Sequence, residues 1–218
     1  MLIEKISVSR LKSGALFKLL PEVYEMKDVV ENNEWHNNED IFSHILKVLN
    51  NFETFLRKNR NNKIRTYMNK RVDFAKIKDL IFFSILLHDV GKKWTVQKKK
   101  NIINFPGHEI ISAKKSKKIL NRFFLSDREK NIILCMIKNH TALHIIIDPE
   151  NKNLGKDFKK FYKKKELDMI GFVLLVMMDT LNSYLKKTKP EQYNFRVLFY
   201  KKTLNSLSED LLSKNKKQ

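Results

Sequence analysis

Five glycines and four prolines are all that punctuate 218 residues, which leaves little material for tight hairpins and suits long helices. A single cysteine, Cys135, excludes an internal structural disulfide. It falls in an apolar helical pattern, where a quiet core thiol is the favoured reading. No apolar run approaches the roughly 18 residues that span a bilayer, since the longest are Leu80–Leu87 and Ile170–Met178. The first twenty residues, with Glu4, Lys5, Arg10 and Lys12 spread through them, lack the apolar block of a signal peptide. Internal repeats, coiled-coil heptads and long low-complexity segments are also missing. The expectation is an all-α, soluble, cytoplasmic protein with no membrane partner. Its length suits one domain, 1–218, with a core over about 13–187 and a helical extension over about 190–212.

Acidic side chains are scarce relative to basic ones: 24 against 44, a formal charge of +20. Such a field attracts polyanions, including RNA, DNA and nucleotides. The lysines occur in short clusters, at 98–100, 114–118, 159–165 and 214–217, rather than in one arginine-aromatic stripe. Sequence-specific recognition of nucleic acid is therefore unsupported.

The stretch Leu80 to Lys93 reads LIFFSILLHDVGKK and behaves as a central helix buried on every side. It runs straight into His88 and Asp89. A carboxylate at the end of a buried helix is costly unless it is paired or holds a metal. Both readings stand on these two residues alone, and Gly91 is expected to fray the helix end. Upstream, Leu11 to Leu20 forms an amphipathic piece stopped by Pro21. Apolar positions from Ile41 to Leu56 fall at helical spacing with His44 on the same face. A basic loop, Lys58 to Lys63, leads to the central helix. After it, WTVQKKKNIINFPG is an exposed connection delivering His108 and Glu109 to a helix that turns Ile110, Ala113, Ile119, Leu120 and Phe123 to the core. Ser126 and Glu129 form a capping box for the next helix, which His140 ends. Residues 145–160 are expected to be an exposed loop. Leu167 to Lys187 is a second buried helix, carrying Asp179, and Pro190 to Leu212 an amphipathic one using Leu211 among others.

Together, His44, His88, Asp89, His108, His140 and Asp179 place four histidines and two carboxylates on five helices or helix ends. This pattern resembles the HD superfamily of metal-dependent phosphohydrolases, whose histidine, His-Asp doublet and distant aspartate are matched by His44, His88, Asp89 and Asp179. His108 and His140 occupy the places of the two extra histidines of members that bind two metals. The segments SGALFKLLPEV, EWHNNEDIFSHILKVL, LLHDVGKKWT, FPGHEIISAKKSKKILNRF and MMDTLNSYLKK are similar to the HD domain of bacterial CCA-adding and poly(A)-polymerase-like proteins. Glu39 stands where that family usually has glycine. No Gly-rich strand with paired aspartates marks a nucleotidyltransferase head, so a free-standing HD-domain-like helical bundle is expected.

The resemblance implies one or two divalent ions among Mn, Fe, Ni, Co, Zn and Mg, held by His44, His88, Asp89, His108, His140 and Asp179. It implies phosphatase or phosphodiesterase work on nucleotides, cyclic nucleotides or RNA ends. Asp89 is the expected bridge or water-orienting base. Lys92 is either a phosphate-neutralising residue, together with Lys93, or an ordinary solvated lysine. His36 either lines the cleft or lies at the surface. The competing class is a non-catalytic RNA-binding or nucleotide-responsive module with a vestigial site.

Overall fold

The computed structural model describes residues 1–164 and 169–215. In chain order its helices are α1 (Val8–Lys12), α2 (Pro21–Tyr24), α3 (Ile41–Lys58), α4 (Asn62–Asn69), α5 (Ile77–Leu87), α6 (His108–Leu120), α7 (Asp127–Ile146), α8 (Leu154–Lys164), α9 (Met169–Asn182), α10 (Leu185–Thr188) and α11 (Pro190–Asn215). Two antiparallel pairs supplement them: β1 (Val30–Glu31) with β2 (Glu39–Asp40), and β3 (Gln97–Lys99) with β4 (Ile102–Asn104). The architecture is all-α. No helix among the described residues is long and apolar enough to cross a membrane.

Helix α5 is the axis of the bundle. It packs against α3, α7 and α9, and every side chain from Leu80 to Leu87 is buried. Each large apolar side chain removed from water contributes about 1.5–3 kcal/mol, so this helix is held by its surroundings rather than by its own propensity. Its one polar member, Ser84, donates to the Leu80 carbonyl at 2.9 Å and needs no other partner. Helix α9, equally apolar from Met169 to Met178, is covered by α3, α5 and α7 and, on another side, by α11. The C-terminal helix is thus part of the packed body. Cys135 is half-buried beside the core.

Several local expectations change. Helix α1 ends at Lys12, and Gly14 with φ of 77° turns the chain, so Leu11–Leu20 is not one amphipathic helix. Pro21 starts α2 rather than only stopping what precedes it, as its fixed φ allows at a first helical position. Asn61 caps α4 through the Lys63 and Ile64 amides, placing a helix directly after the basic loop. Despite the scarcity of glycine, β3 and β4 make a hairpin, with Lys100 supplying a positive φ of 54°. Helix α7 runs past His140 to Ile146, and α8 occupies part of the expected loop 145–160. Ile110 is 55 % exposed because α6 turns Ser112 and Ser116 inward instead. Leu167, the first residue of the expected second buried helix, and 216–218 lie outside the described residues, as does the side chain of Leu211.

Gly91 explains the inward serines. Its conformation is helical, φ −87°, so it is not there for a left-handed turn. A Cβ at this position would collide with the Ser112 amide nitrogen and stand 2.6 Å from the His108 carbonyl oxygen. Only glycine lets the turn after α5 touch the first turns of α6, and the Gly91 amide donates to Ser112 Oγ at 2.9 Å. Gly91→Ala is expected to cost at least about 3 kcal/mol, because backbone rather than a side-chain tip obstructs the methyl. Denaturant unfolding of the variant checks this, and a loss below about 1 kcal/mol would contradict the packing described.

Candidate metal centre

Three histidines are set in the same way. His88 Nδ1 donates to the Ile85 carbonyl at 2.6 Å, His108 Nδ1 to Phe105 at 2.8 Å and His140 Nδ1 to Ile137 at 2.7 Å. A carbonyl only accepts, so each neutral ring carries its proton on Nδ1 and presents a lone pair at Nε2. Those lone pairs converge. His108 Nε2 and His140 Nε2 are 3.1 Å apart, and Asp89 Oδ1 is 3.2 Å from the first and 3.9 Å from the second. Two facing imidazole lone pairs repel unless a cation lies between them.

A second cluster adjoins it. His44 Nε2 is 2.8 Å from Asp179 Oδ1, and His88 Nε2 is 4.0 Å from the same oxygen. In each cluster the three candidate donor atoms lie within 4.8 Å of one another. Asp89 joins the two: Oδ1 belongs with His108 and His140, while Oδ2 is 3.2 Å from His88 Nε2. His88 Nε2 and Asp89 Oδ1 are buried and make no hydrogen bond. Leaving such atoms unmet costs about 1–3 kcal/mol each, which suits groups held ready for a metal. The donor set of imidazole nitrogens and carboxylate oxygens fits a divalent transition metal.

The electrostatics agree with the geometry. Burial opposes charging of Asp89 and Asp179, yet the His88 and Lys92 charges hold Asp89, and the hydrogen bonds from His144 and His44 hold Asp179, well below the usual carboxylate range. Burial, with repulsion from His108 and His88, keeps His140 well below an ordinary histidine and therefore neutral. Burial would also depress His44, but its hydrogen bond with Asp179 and the nearby Glu39 carboxylate push it up to about 10. That protonated ring stabilises the fold fully below pH about 6.5 and loses its contribution as pH rises through about 10. A metal needs the same Nε2 lone pair and must displace the proton. Apparent affinity for Mn or Ni is therefore expected to rise by up to about tenfold per pH unit between 6.5 and 8.5. Calorimetric titration in buffers of different ionisation enthalpy should register about one proton released per His44 ligated, and a pH-independent affinity would contradict the assignment.

Sequence reasoning missed several neighbours. His144, one turn beyond His140 on α7, contacts Asp179 Oδ2 at 2.9 Å and fixes the oxygen that His44 leaves free. The i, i+4 histidine pair was the available signal, hidden by ending the helix at His140. Glu39 backs His44, with Oε2 3.6 Å from Nδ1 and 3.5 Å from His36 Nδ1, the carboxylate-behind-histidine arrangement that orients metal ligands. Lys92 is not a solvated lysine: it is 5 % exposed, with Nζ 2.6 Å from Glu31 Oε2 and 2.9 Å from Asp89 Oδ2. Burial works against its charge, but Asp89 and Glu31 raise its pKa above the usual value and keep it cationic. Lys93 instead pairs with Glu25 at 3.0 Å and does not line the pocket.

The centre opens into a cavity of about 780 Å³ whose lining includes His36 and Lys92. Its lining also includes Trp35 and, from α11, Gln192 and Arg196. A family model described as HD domain matches residues 41–176, well over half of the chain and including His44, His88, Asp89, His108, His140 and His144. Asp179 lies three residues past its end.

Proposed function

The chain belongs to the HD-domain family, a family of metal-dependent hydrolases, and from that premise we propose that it cleaves phosphate esters as a phosphatase or phosphodiesterase acting on nucleotides, cyclic nucleotides or RNA ends. The observation that carries this reading is Asp89, whose two oxygens face different histidine groups in a buried pocket. His44, His88 and Asp179 would hold one ion, and His108, His140 and Asp89 a second. Bound there, divalent ions supply Lewis acidity, lowering the pKa of water and drawing charge from a phosphoryl oxygen.

The remaining work falls to the chain. Asp89 would orient the attacking water by accepting a hydrogen bond from it, a role helped by a carboxylate that stays ionised. Lys92, fixed between Glu31 and Asp89, places a permanent positive charge at the pocket lining, where charge grows on the phosphoryl oxygens. The Nδ1–carbonyl hydrogen bonds keep three rings from turning, so the donor set costs no reorganisation when the ester binds.

Protein purified without chelator is expected to contain about one to two transition-metal equivalents. It is expected to hydrolyse bis-p-nitrophenyl phosphate, nucleoside monophosphates or 2′,3′-cyclic nucleotides, with chelation abolishing turnover and Mn or Ni restoring it. Metal-loaded protein inert towards all of these would overturn the reading. The exposed lysines 98–100 on and beside the hairpin favour the second reading, a non-catalytic RNA-binding module. RNA binding with a steep salt dependence and no hydrolysis would support it.

A further inference from the structure

We propose that the part of the pocket lined by Trp35, Gln192 and Arg196 is a nucleobase subsite, so that the substrate is a nucleoside phosphate recognised through its base. The position of the phosphate rests on the hydrolase reading above. The subsite itself does not. Three independent observations carry it.

The first is size. About 780 Å³ is far more than a phosphoryl group fills, and lies within the roughly 300–1,000 Å³ of sites that enclose whole small molecules. The second is a fixed aromatic plane. The Trp35 amide donates to Asn33 Oδ1 at 2.8 Å, and its carbonyl accepts from the Tyr184 amide at 2.6 Å. The His144 ring meets the indole edge-on, with centroids 5.2 Å apart, and the Arg196 guanidinium lies 5.0 Å from its centroid. A planar base stacks on indole and guanidinium surfaces whatever its identity.

The third observation is an unmet hydrogen-bonding group on α11. Gln192 and Arg196 are four residues apart, hence on one face of the helix. Gln192 Nε2 donates to Asp148 Oδ2 at 2.9 Å, Arg196 Nη2 donates to the same oxygen at 2.6 Å, and Arg196 Nη1 donates to the His144 carbonyl at 2.7 Å. These bonds use one end of each side chain. Gln192 Oε1, an acceptor, is buried with no partner, whereas Arg196, only 2 % exposed, also reaches the buried Tyr200 hydroxyl and is fully engaged. An unmet acceptor in the lining can take an N–H of a base edge. The neighbouring lining carries Asp148, Glu150 and Asp157, which would repel a second phosphate. A neutral base fits this wall better than a continuing nucleic-acid strand.

The chain has two tryptophans, so Trp94→Phe leaves Trp35 as the sole indole reporter. In the metal-loaded variant, at least one of adenosine, guanosine, cytidine and uridine should quench that fluorescence saturably after inner-filter correction, while ribose should not. Gln192→Ala in the same background should weaken the binding about tenfold. With the unaltered protein, kcat/KM for the preferred nucleoside 5′-monophosphate should exceed that for ribose 5-phosphate at least tenfold. Absence of quenching by every nucleoside, or ribose 5-phosphate cleaved as well as all nucleotides, would overturn the subsite. Saturable nucleoside binding with no ester cleaved would support the subsite and remove the hydrolase reading.

Discussion

Asp89→Ala is expected to lower phosphate-ester turnover by about a thousandfold or more, equivalent to at least about 4 kcal/mol of barrier stabilisation, and to reduce bound metal at the same time. The size of the effect follows from its position. One oxygen faces His108 and His140, the other faces His88 and the Lys92 ammonium, so a single truncation removes a donor from both clusters. It also leaves Lys92 buried with Glu31 as its remaining carboxylate partner, a loss of stability smaller than the roughly 3–5 kcal/mol that a wholly unpaired buried charge costs. Asp89→Asn separates the two consequences, because the amide keeps the volume and one acceptor oxygen while removing the charge. The asparagine variant should melt closer to the parent yet remain nearly inactive. Elemental analysis, turnover and thermal melting of both variants test this. A folded Asp89→Asn protein with full metal content and unchanged turnover would refute the central role given to this carboxylate.

The second large effect concerns folding. Glu129 is fully buried, and its carboxylate accepts four backbone amides. Oε1 takes Asp73, Phe74 and Ala75 at 3.2, 2.7 and 2.6 Å, and Oε2 takes Ser126 at 2.9 Å. The capping box at the start of α7 is therefore also the clamp that fixes the chain just before α5. Glu129→Ala leaves four amides without their acceptor and is expected to cost about 3–5 kcal/mol, lowering Tm by about 10 °C or more for a chain of this size. Glu129→Gln can keep the three bonds at one oxygen but turns an NH2 towards the Ser126 amide, so about 1–2 kcal/mol is expected. Losses below about 1 kcal/mol in both variants would show that water replaces the clamp at little cost.

Much of the architecture was legible because burial and period coincide. An apolar run such as Leu80–Leu87 has one stable environment, the middle of a helical bundle, and that is where α5 lies. His44, His88, Asp89, His108, His140 and Asp179 were legible as a group through the resemblance to the HD superfamily, because each alone reads equally well as a hydrogen-bonded polar residue in an apolar pattern. What escaped was fixed by tertiary contact. Glu31 and Glu39 belong to short strands whose pairing carries almost no local signal, so nothing in the sequence placed them behind Lys92 and His44. His144 was lost with the last turns of α7, where Ile145 is 68 % exposed and the apolar period breaks down. Ile110 was assigned to the core because the close approach at Gly91, which selects serines instead, depends on two segments that periodicity treats separately.

The wall formed by Trp35, Gln192 and Arg196 lies outside the stretch 41–176, whereas the candidate metal donors His44, His88, Asp89, His108 and His140 lie inside it and Asp179 just past it. If the base subsite proposed above holds, reaction chemistry and ligand preference are encoded largely on separate portions of the polypeptide. On that proposal, drift at 192 would retarget the protein while the donor atoms of the cation site stay in place, whereas drift at 35 or 196 would also reach His144 and through it Asp179. Swapping the terminal helix between relatives then becomes a direct route to altered selectivity.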